Sequence, residues 1–176
     1  RLQGWGMGWR MNGEEGNTVH HVTQRRCVVV DNSTLGLYAP YADDVLVEEN
    51  VYDQNGTGGN IRQHALYLSR GGNRQVIRGN VLARSANFAV KTRADSEDIE
   101  VCDNLIIGGQ NGVGIGVDGD DSKRPERSGW GNRRFTVFDN AFIHLTGEAA
   151  VWIGNYEDLQ VSGNWCLQCQ NFKTRN

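Results

Sequence analysis

A lysine and an arginine lie two residues apart in the segment AVKTR, at Lys91 and Arg93. On a β-strand both side chains would point to one face, with roughly 7 Å between their α-carbons. A second positive charge at this distance lowers the pKa of a lysine. A neutral lysine can remove a proton, and an arginine can neutralise a carboxylate. The pair is therefore a candidate for β-elimination on a uronic acid, where the proton removed lies next to the carboxyl group.

His64 is a second candidate for acid–base chemistry, because histidine titrates near neutral pH. Its spacing of two residues from Leu66 also permits an inward-facing, hydrogen-bonded histidine, and both interpretations stay open.

The segment around these candidates is basic. Residues 64–93 contain Arg70, Arg74, Arg78, Arg84, Lys91 and Arg93 but no Asp or Glu, and the segments on either side are acidic. Opposite charges in neighbouring segments can pair with each other, each pair stabilising little. The alternative is that the basic residues bind a polyanion.

The segment VDGDDS places three carboxylates close together, at Asp118, Asp120 and Asp121. Oxygens at this spacing could bind Ca²⁺, although a solvated loop has the same composition. Residues 118–134 form the longest expected loop, and long loops in regular folds often carry function. Within it, Trp130 would be a mobile aromatic lid over a binding groove.

A repeated pattern predicts the elements that position these residues. The segments CVVVDN, VLVEEN, QVIRGN, IEVCDN, FTVFDN and LQVSGN end at Asn32, Asn50, Asn80, Asn104, Asn140 and Asn164. Each has a β-branched residue three positions before the Asn, as expected of a half-buried strand. Asn tolerates left-handed turns and can bond to the Asn of a stacked repeat. We expect a bend at each Asn, followed by a short strand such as VLA, LII or AFI.

A third strand follows in most repeats: GLYA, HALYLS, FAVKTR, GVGIGVD and AAVWIG. Three short strands per repeat, paired in parallel between repeats, predict an all-β parallel β-helix. Alternation along the third strand would direct Leu66, Leu68, Val90, Thr92, Val113, Ile115, Val117, Val151 and Ile153 inward. It would direct Tyr67, Ser69, Lys91, Arg93, Gly114, Gly116 and Trp152 outward.

The outward residues form a candidate binding groove. Stacked strands lie about 4.8 Å apart, so Tyr38, Tyr67, Lys91 and Trp152 would form a column along the axis. Aromatic faces can stack on sugar rings, while basic residues such as Arg70 can bind carboxylates or sulfates. The alternative is that these aromatic residues are covered by a loop or by assembly.

Composition limits the class of protein. The 176 residues carry a net charge of −3 and include 23 Gly and 2 Pro, which fits one turn-rich domain spanning 1–176. The chain begins at Arg1, so we expect a processed protein or a fragment of a longer one. No apolar run approaches the roughly 18 residues of a membrane span, and nucleic acid is a poor partner for this charge. The four cysteines, with one Cys-x-x-Cys, indicate apolar packing or an incidental disulfide.

The pattern of Val-x-x-Asn followed by a short apolar strand resembles the repeats of right-handed parallel β-helix proteins, the pectate-lyase-like superfamily, over about residues 19–170. The resemblance implies a right-handed solenoid of about six coils with an Asn ladder, and a secreted or cell-surface location. Lyases of this superfamily use basic residues on this kind of sheet, often with Ca²⁺, which implies a catalytic role for Lys91 and Arg93.

Two functions follow as hypotheses, because this scaffold carries many activities. The first is a lyase (β-elimination) or epimerase that acts on an acidic, uronate-containing polysaccharide. The second is a non-catalytic structural or adhesive β-helix that binds glycans, forms a homo-oligomer or assembles end to end.

Overall fold

The computed structural model describes residues 1–58, 63–93, 95–108, 113–118, 132–147, 149–154, 156–169 and 173–175. Regular structure in these residues consists of β-strands alone. The first ten strands are β1 (Leu2–Gln3), β2 (Met7–Arg10), β3 (Val19–Arg25), β4 (Val28–Val30), β5 (Leu35–Tyr38), β6 (Ala42–Glu48), β7 (Val51–Asp53), β8 (His64–Leu68), β9 (Asn73–Arg78) and β10 (Val81–Ala83). The next ten are β11 (Phe88–Arg93), β12 (Glu97–Cys102), β13 (Leu105–Ile107), β14 (Val113–Asp118), β15 (Asn132–Phe138), β16 (Ala141–Ile143), β17 (Val151–Gly154), β18 (Tyr156–Ser162), β19 (Trp165–Leu167) and β20 (Lys173–Arg175).

The strands form three parallel sheets, and the chain visits the sheets in turn. Sheet I has the order β1-β4-β7-β10-β13-β16-β19, sheet II the order β2-β5-β8-β11-β14-β17-β20, and sheet III the order β18-β15-β12-β9-β6-β3. Each strand therefore pairs with the strand that lies three positions earlier in the chain. This arrangement fits a parallel β-solenoid, in agreement with the all-β, parallel architecture expected from the repeats.

The core lies between the three sheets and is filled by the inward-facing side chains of their strands. Sheet I contributes the middle residue of its three-residue strands, including the fully buried Tyr52, Leu82 and Phe142. Sheet III contributes alternate residues such as Val47 and Ile77. These residues belong to one continuous buried cluster. The period-two pattern of the sequence therefore marks the inner face correctly on these strands.

A series of asparagines joins successive repeats at the corner between sheets III and I. Its members are Asn50, Asn80, Asn104, Asn140 and Asn164, and each Nδ2 donates to the Oδ1 of the next over 2.9–3.0 Å. The same Oδ1 atoms also accept from the backbone N–H of the preceding Asn. The first four members are 1% exposed or less. Hydrogen bonding at this corner is therefore continuous along the axis.

The left-handed residue at this corner is the one before the Asn, not the Asn itself. Glu49, Gly79, Asp103, Asp139 and Gly163 have φ between 53° and 62°. The Asn side chain is thus used for hydrogen bonding, while the residue before the Asn adopts the left-handed conformation of the turn. Three of these five positions carry a side chain where glycine would be conformationally easier.

The segment CVVVDN does not align with the other five, which corrects the prediction for Asn32. Its valines form β4 in sheet I, whereas the other five segments lie in sheet III. Cys27 occupies the corner position instead, since its N–H donates to Asn50 Oδ1 over 2.9 Å. Asn32 lies at the opposite end of sheet I and donates from Nδ2 to Asn55 Oδ1 over 2.8 Å. Asn32 and Asn50 are separated by only 18 residues because they lie at different corners.

The expected loop 118–134 begins and ends within strands. Asp118 is the last residue of β14, and residues 132–134 belong to β15. Residues 119–131 lie outside the described part of the chain.

Within the described ranges, no helix is long and apolar enough to cross a membrane.

Candidate functional site

The outer face of sheet II carries the predicted column of aromatic and basic residues. The strand register pairs Tyr38 with Tyr67, Tyr67 with Lys91, Lys91 with Gly116, and Gly116 with Trp152. Tyr38, Tyr67 and Trp152 are each partly exposed. The alignment expected from the sequence is therefore confirmed, and it brings four of the predicted site residues onto one line.

Lys91 is held between two aromatic rings. Its Nζ lies 4.2 Å from the ring centroid of Phe88 and 4.8 Å from that of Trp152. The residue is only 5% exposed, although the sequence predicted a solvent-facing lysine. Ring faces attract an ammonium group and offset part of its desolvation. The rings therefore offset part of the cost of burying an ammonium group at this position.

Phe88 is the site residue that sequence reasoning missed. It stands two residues before the buried Val90, so strict alternation directs it inward. Its ring instead lies over Gly116, where a Cβ would collide with it. The glycine leaves the space that Phe88 occupies, beside Trp152 at 6.1 Å between centroids. Gly116 is thus on the outer face as predicted, but its space is filled by a side chain.

The reason is a break in the alternation at the start of these strands. Ala89 and Val90 are consecutive and both buried. Gly114, expected to face outward, points into the core, where a Cβ would lie 2.8 Å from the buried ring of Phe142. Small residues share this position on neighbouring strands: Gly36, Ala65, Ala89, Gly114 and Ala150. This row of small residues is the sequence signal that could have revealed the break in the inward–outward alternation.

His64 joins the same cluster. Its ring lies 5.1 Å from that of Tyr67 and 5.5 Å from that of Phe88, both in edge-on geometry. It is 3% exposed, and its buried Nδ1 has no hydrogen-bond partner among the described residues. Burial, and secondarily the charge of Lys91, lower the pKa of His64 to about 3. His64 is therefore neutral at physiological pH, and it lies with the outer-face rings rather than in the inward-facing, hydrogen-bonded position.

A second cation extends the column at its other end. Arg10, in β2, pairs with Tyr38 in register and holds its guanidinium 5.7 Å from the Tyr38 ring centroid. Tyr38 in turn lies 5.6 Å from Tyr67. We call this row of Arg10, Tyr38, Tyr67, His64, Phe88, Lys91 and Trp152 the aromatic stripe.

The remaining basic candidates occupy different positions. Arg93 is half-buried at the end of β11, two residues from Lys91. Arg70 is exposed, at a left-handed corner that follows sheet II, with φ of 49°. Ser69, expected outward, is 4% exposed. Of the predicted basic site residues, Lys91 therefore lies within the aromatic stripe, while Arg70 lies at the corner beyond its strand.

Three arginines of the basic segment form ion pairs between repeats. Arg74 Nε lies 2.6 Å from Asp44 Oδ1, Arg78 Nη2 lies 2.9 Å from Glu48 Oε2, and Arg84 Nε lies 2.8 Å from Asp53 Oδ1. The hydrogen bond from Arg74 lowers the pKa of Asp44. Pairing between neighbouring segments of opposite charge is thus the arrangement found for these three residues.

The outer face of sheet III carries a groove of about 420 Å³ whose charges alternate along the axis. Arg74, Asp98, Arg134 and Asp158 line it, and all four have positive φ. Arg134 Nε lies 2.5 Å from Asp98 Oδ1, which lowers the pKa of Asp98. Because Arg134 already pairs with Asp98 and Arg74 with Asp44, this groove offers little free positive charge to an acidic ligand.

The predicted metal site and lid fall largely outside the described residues. Asp120, Asp121 and Trp130 lie there, and of Asp118 only the backbone position at the end of β14 is described. In the rest of the chain, no group of three or more His, Cys, Asp or Glu residues is placed to bind a metal ion.

None of the four cysteines forms a disulfide. Burial raises the pKa of Cys102 to about 12. Burial and a hydrogen bond with Cys169 raise the pKa of Cys166 to about 12 as well. High thiol pKa values do not favour thiolate chemistry.

Comparisons gave no match to any family model, characterised protein or solved structure. The fold and the aromatic stripe are therefore the features that bear on function.

Proposed function

We propose that the protein is a right-handed parallel β-helix of about six coils, with an asparagine ladder, that binds an acidic, uronate-containing polysaccharide along the outer face of sheet II. Lyase or epimerase chemistry on that polysaccharide is the reaction this face would support. The Asp118, Asp120 and Asp121 carboxylates would bind Ca²⁺ beside it, and a secreted or cell-surface location suits such a substrate.

The observation that supports the proposal is the aromatic stripe itself. Partly exposed rings of Tyr38, Tyr67 and Trp152 follow the axis on strands about 4.8 Å apart, so an extended chain could contact several of them. The cations Arg10 and Lys91 lie within the same row. Stacking surfaces combined with positive charge suit a sugar polymer that carries carboxylates.

The chemistry would need Lys91 as the base. Its Nζ would take the proton next to the uronate carboxylate, and the electron pair of that C–H bond would form a carbon–carbon double bond. The glycosidic oxygen would leave and take a proton from a nearby acid or from water. Arg93 would neutralise the carboxylate, and His64 would act in proton transfer. In an epimerase, the proton would return to the opposite face instead.

A specific observation favours a second candidate, glycan binding without catalysis. The rings around Lys91 stabilise its ammonium form, whereas a base must be neutral. Lys91 is also 5% exposed, so a substrate would reach it only after the rings move. In a structural or adhesive protein, Lys91 would hold Phe88 and Trp152 in place for stacking.

The experiment measures binding and turnover on the same samples. Wild-type protein is titrated with alginate, polygalacturonate and a glycosaminoglycan, with dextran as the neutral control, and unsaturated product is followed by ultraviolet absorbance. We expect binding to the acidic polymers alone, weakened about tenfold in Trp152→Ala because a stacking surface is lost. The matched control is Trp165→Ala, the same change on sheet I, which should bind as wild type does.

Each outcome has a distinct meaning. Product that forms with wild type and is lost in a folded Lys91→Ala variant assigns the base. Binding that weakens in Trp152→Ala with no product from any polymer supports the non-catalytic candidate. Absence of binding to every acidic polymer contradicts the proposed function.

A further inference from the structure

The outer face of sheet I is mostly apolar from β4 to β19, which are six of its seven strands. The first residues of six consecutive strands are Val28, Val51, Val81, Leu105, Ala141 and Trp165, and the register pairs each with the next. The third residue of each strand is also apolar, except in β7, where it is Asp53. We call these two rows the apolar face.

Solvent reaches the apolar face. Val28 and Val51 are 41% and 38% exposed, and Trp165 and Leu167 are 53% and 52% exposed. The outer face of sheet III differs, because it carries ion pairs such as Arg78 with Glu48. Apolarity is therefore particular to sheet I. A contiguous apolar surface of this kind usually marks a site of association.

We propose that the apolar face is an interface with a second copy of this chain. A row of side chains repeating about every 4.8 Å is matched in pitch and flatness by another sheet with the same repeat, and a second copy provides one. Its single charge needs no partner from outside, since Asp53 already pairs with Arg84 of the same chain.

The size of the face sets the strength of this association. Six strands span about 29 Å along the axis, and a strand with its two corners is about 17 Å wide. Pairing two such faces buries roughly 1,000 Å², which is the lower limit for a specific interface. We therefore expect a dimer that forms at micromolar or higher concentration rather than an obligate one.

Sedimentation velocity across about 1 μM to about 1 mM protein tests this interface. Wild type should pass from the 19.6 kDa monomer to twice that mass and stop there, because pairing of one face with itself is closed. Leu105→Lys, in the central part of the face, should stay monomeric, and so should Leu105→Glu. The control Thr136→Lys, on the outer face of sheet III, should dimerise as wild type does.

Mixing the two Leu105 variants adds a second readout. Residues of the central strands oppose each other whether the two axes run parallel or antiparallel, so an equimolar mixture of Leu105→Lys and Leu105→Glu should recover dimers. Thermal melting near that of wild type confirms that both variants fold. Wild type that stays monomeric throughout, a Leu105→Lys variant that still associates, or mass that grows beyond the dimer would each overturn the proposal.

Discussion

At the scale of single residues, the aromatic stripe contains two buried ionisable groups, Lys91 and His64. The Nζ atom of Lys91 lies beside the faces of Phe88 and Trp152. His64 stays neutral, because burial and the nearby ammonium both disfavour a second positive charge.

The pH dependence of stability should report the state of His64. Unfolded histidine has a pKa of about 6.5, whereas the pKa in the folded protein is lowered to about 3. The unfolded chain therefore takes up the proton first as the pH falls. The His64 contribution is complete above about pH 6.5 and is lost towards pH 3, so the free energy of unfolding should fall by about 2 kcal/mol from about pH 7 to about pH 5.

Urea unfolding at several pH values measures this effect. Replacement of the buried imidazole in His64→Leu should remove the slope over that range, while His21→Asn, which changes a side chain that is 82% exposed, should retain it. Glu49 does not interfere, since hydrogen bonds from Arg25 and Arg26 lower its pKa to about 2. An identical slope in wild type and His64→Leu would show that His64 is not the responsible group.

Residue-level prediction from the sequence succeeded where alternation holds. Tyr67, Lys91 and Trp152 lie on the outer face because the buried residues on either side of each fix the phase of the strand. Gly114 was assigned to the wrong face and Phe88 was not assigned at all, since a strand that bends at its first residues carries two consecutive inward side chains. Burial of Lys91 was not predictable either, because it depends on a ring three residues earlier in the sequence folding back over Gly116 of the next strand.

At the scale of elements, the asparagine series carries the register between repeats. The Nδ2 of Asn104 lies within 3.0 Å of Asn140 Oδ1 and of two backbone carbonyl oxygens, those of Ile77 and Cys102. Its Oδ1 accepts from both the backbone N–H and the side chain of Asn80. Each amide thus satisfies polar groups of more than one repeat.

Substitution at Asn104 should therefore destabilise the fold strongly. Asn104→Leu leaves several buried donors and acceptors without partners, each costing about 1–3 kcal/mol, so we expect a loss of at least about 3 kcal/mol in the free energy of unfolding. The matched change Asn164→Leu, at the half-buried last member, should cost less. Urea denaturation compares the two variants, and equal losses below about 1 kcal/mol would show that the series does not bear on stability.

Strand positions were the most predictable elements. The segments VLA, LII and AFI coincide with β10, β13 and β16. The error at CVVVDN had a physical source, because three consecutive valines satisfy the pattern of either neighbouring sheet. The pairing of β4 with β7 and the hydrogen bond from Cys27 to Asn50 show which corner that segment follows. Pattern alone could not distinguish the two corners.

At the scale of the whole molecule, the three sheets present three different outer faces. Sheet I is apolar, sheet II carries the aromatic stripe, and sheet III carries paired charges, as in Arg134 with Asp98. The net charge of −3 therefore does not reflect how apolar, aromatic and charged residues are separated onto three different faces. Binding of an acidic polymer and association with a second copy would use different faces and need not compete.

Sheet II, rather than another face, is proposed to receive the acidic glycan. A ¹H–¹⁵N NMR titration with a uronate oligosaccharide locates the binding face directly. We predict shifts concentrated on Tyr38, Tyr67, Lys91 and Trp152 and their neighbours in register. Shifts confined to the Arg74–Asp98–Arg134 groove of sheet III, or no shifts at saturating oligosaccharide, would contradict the account.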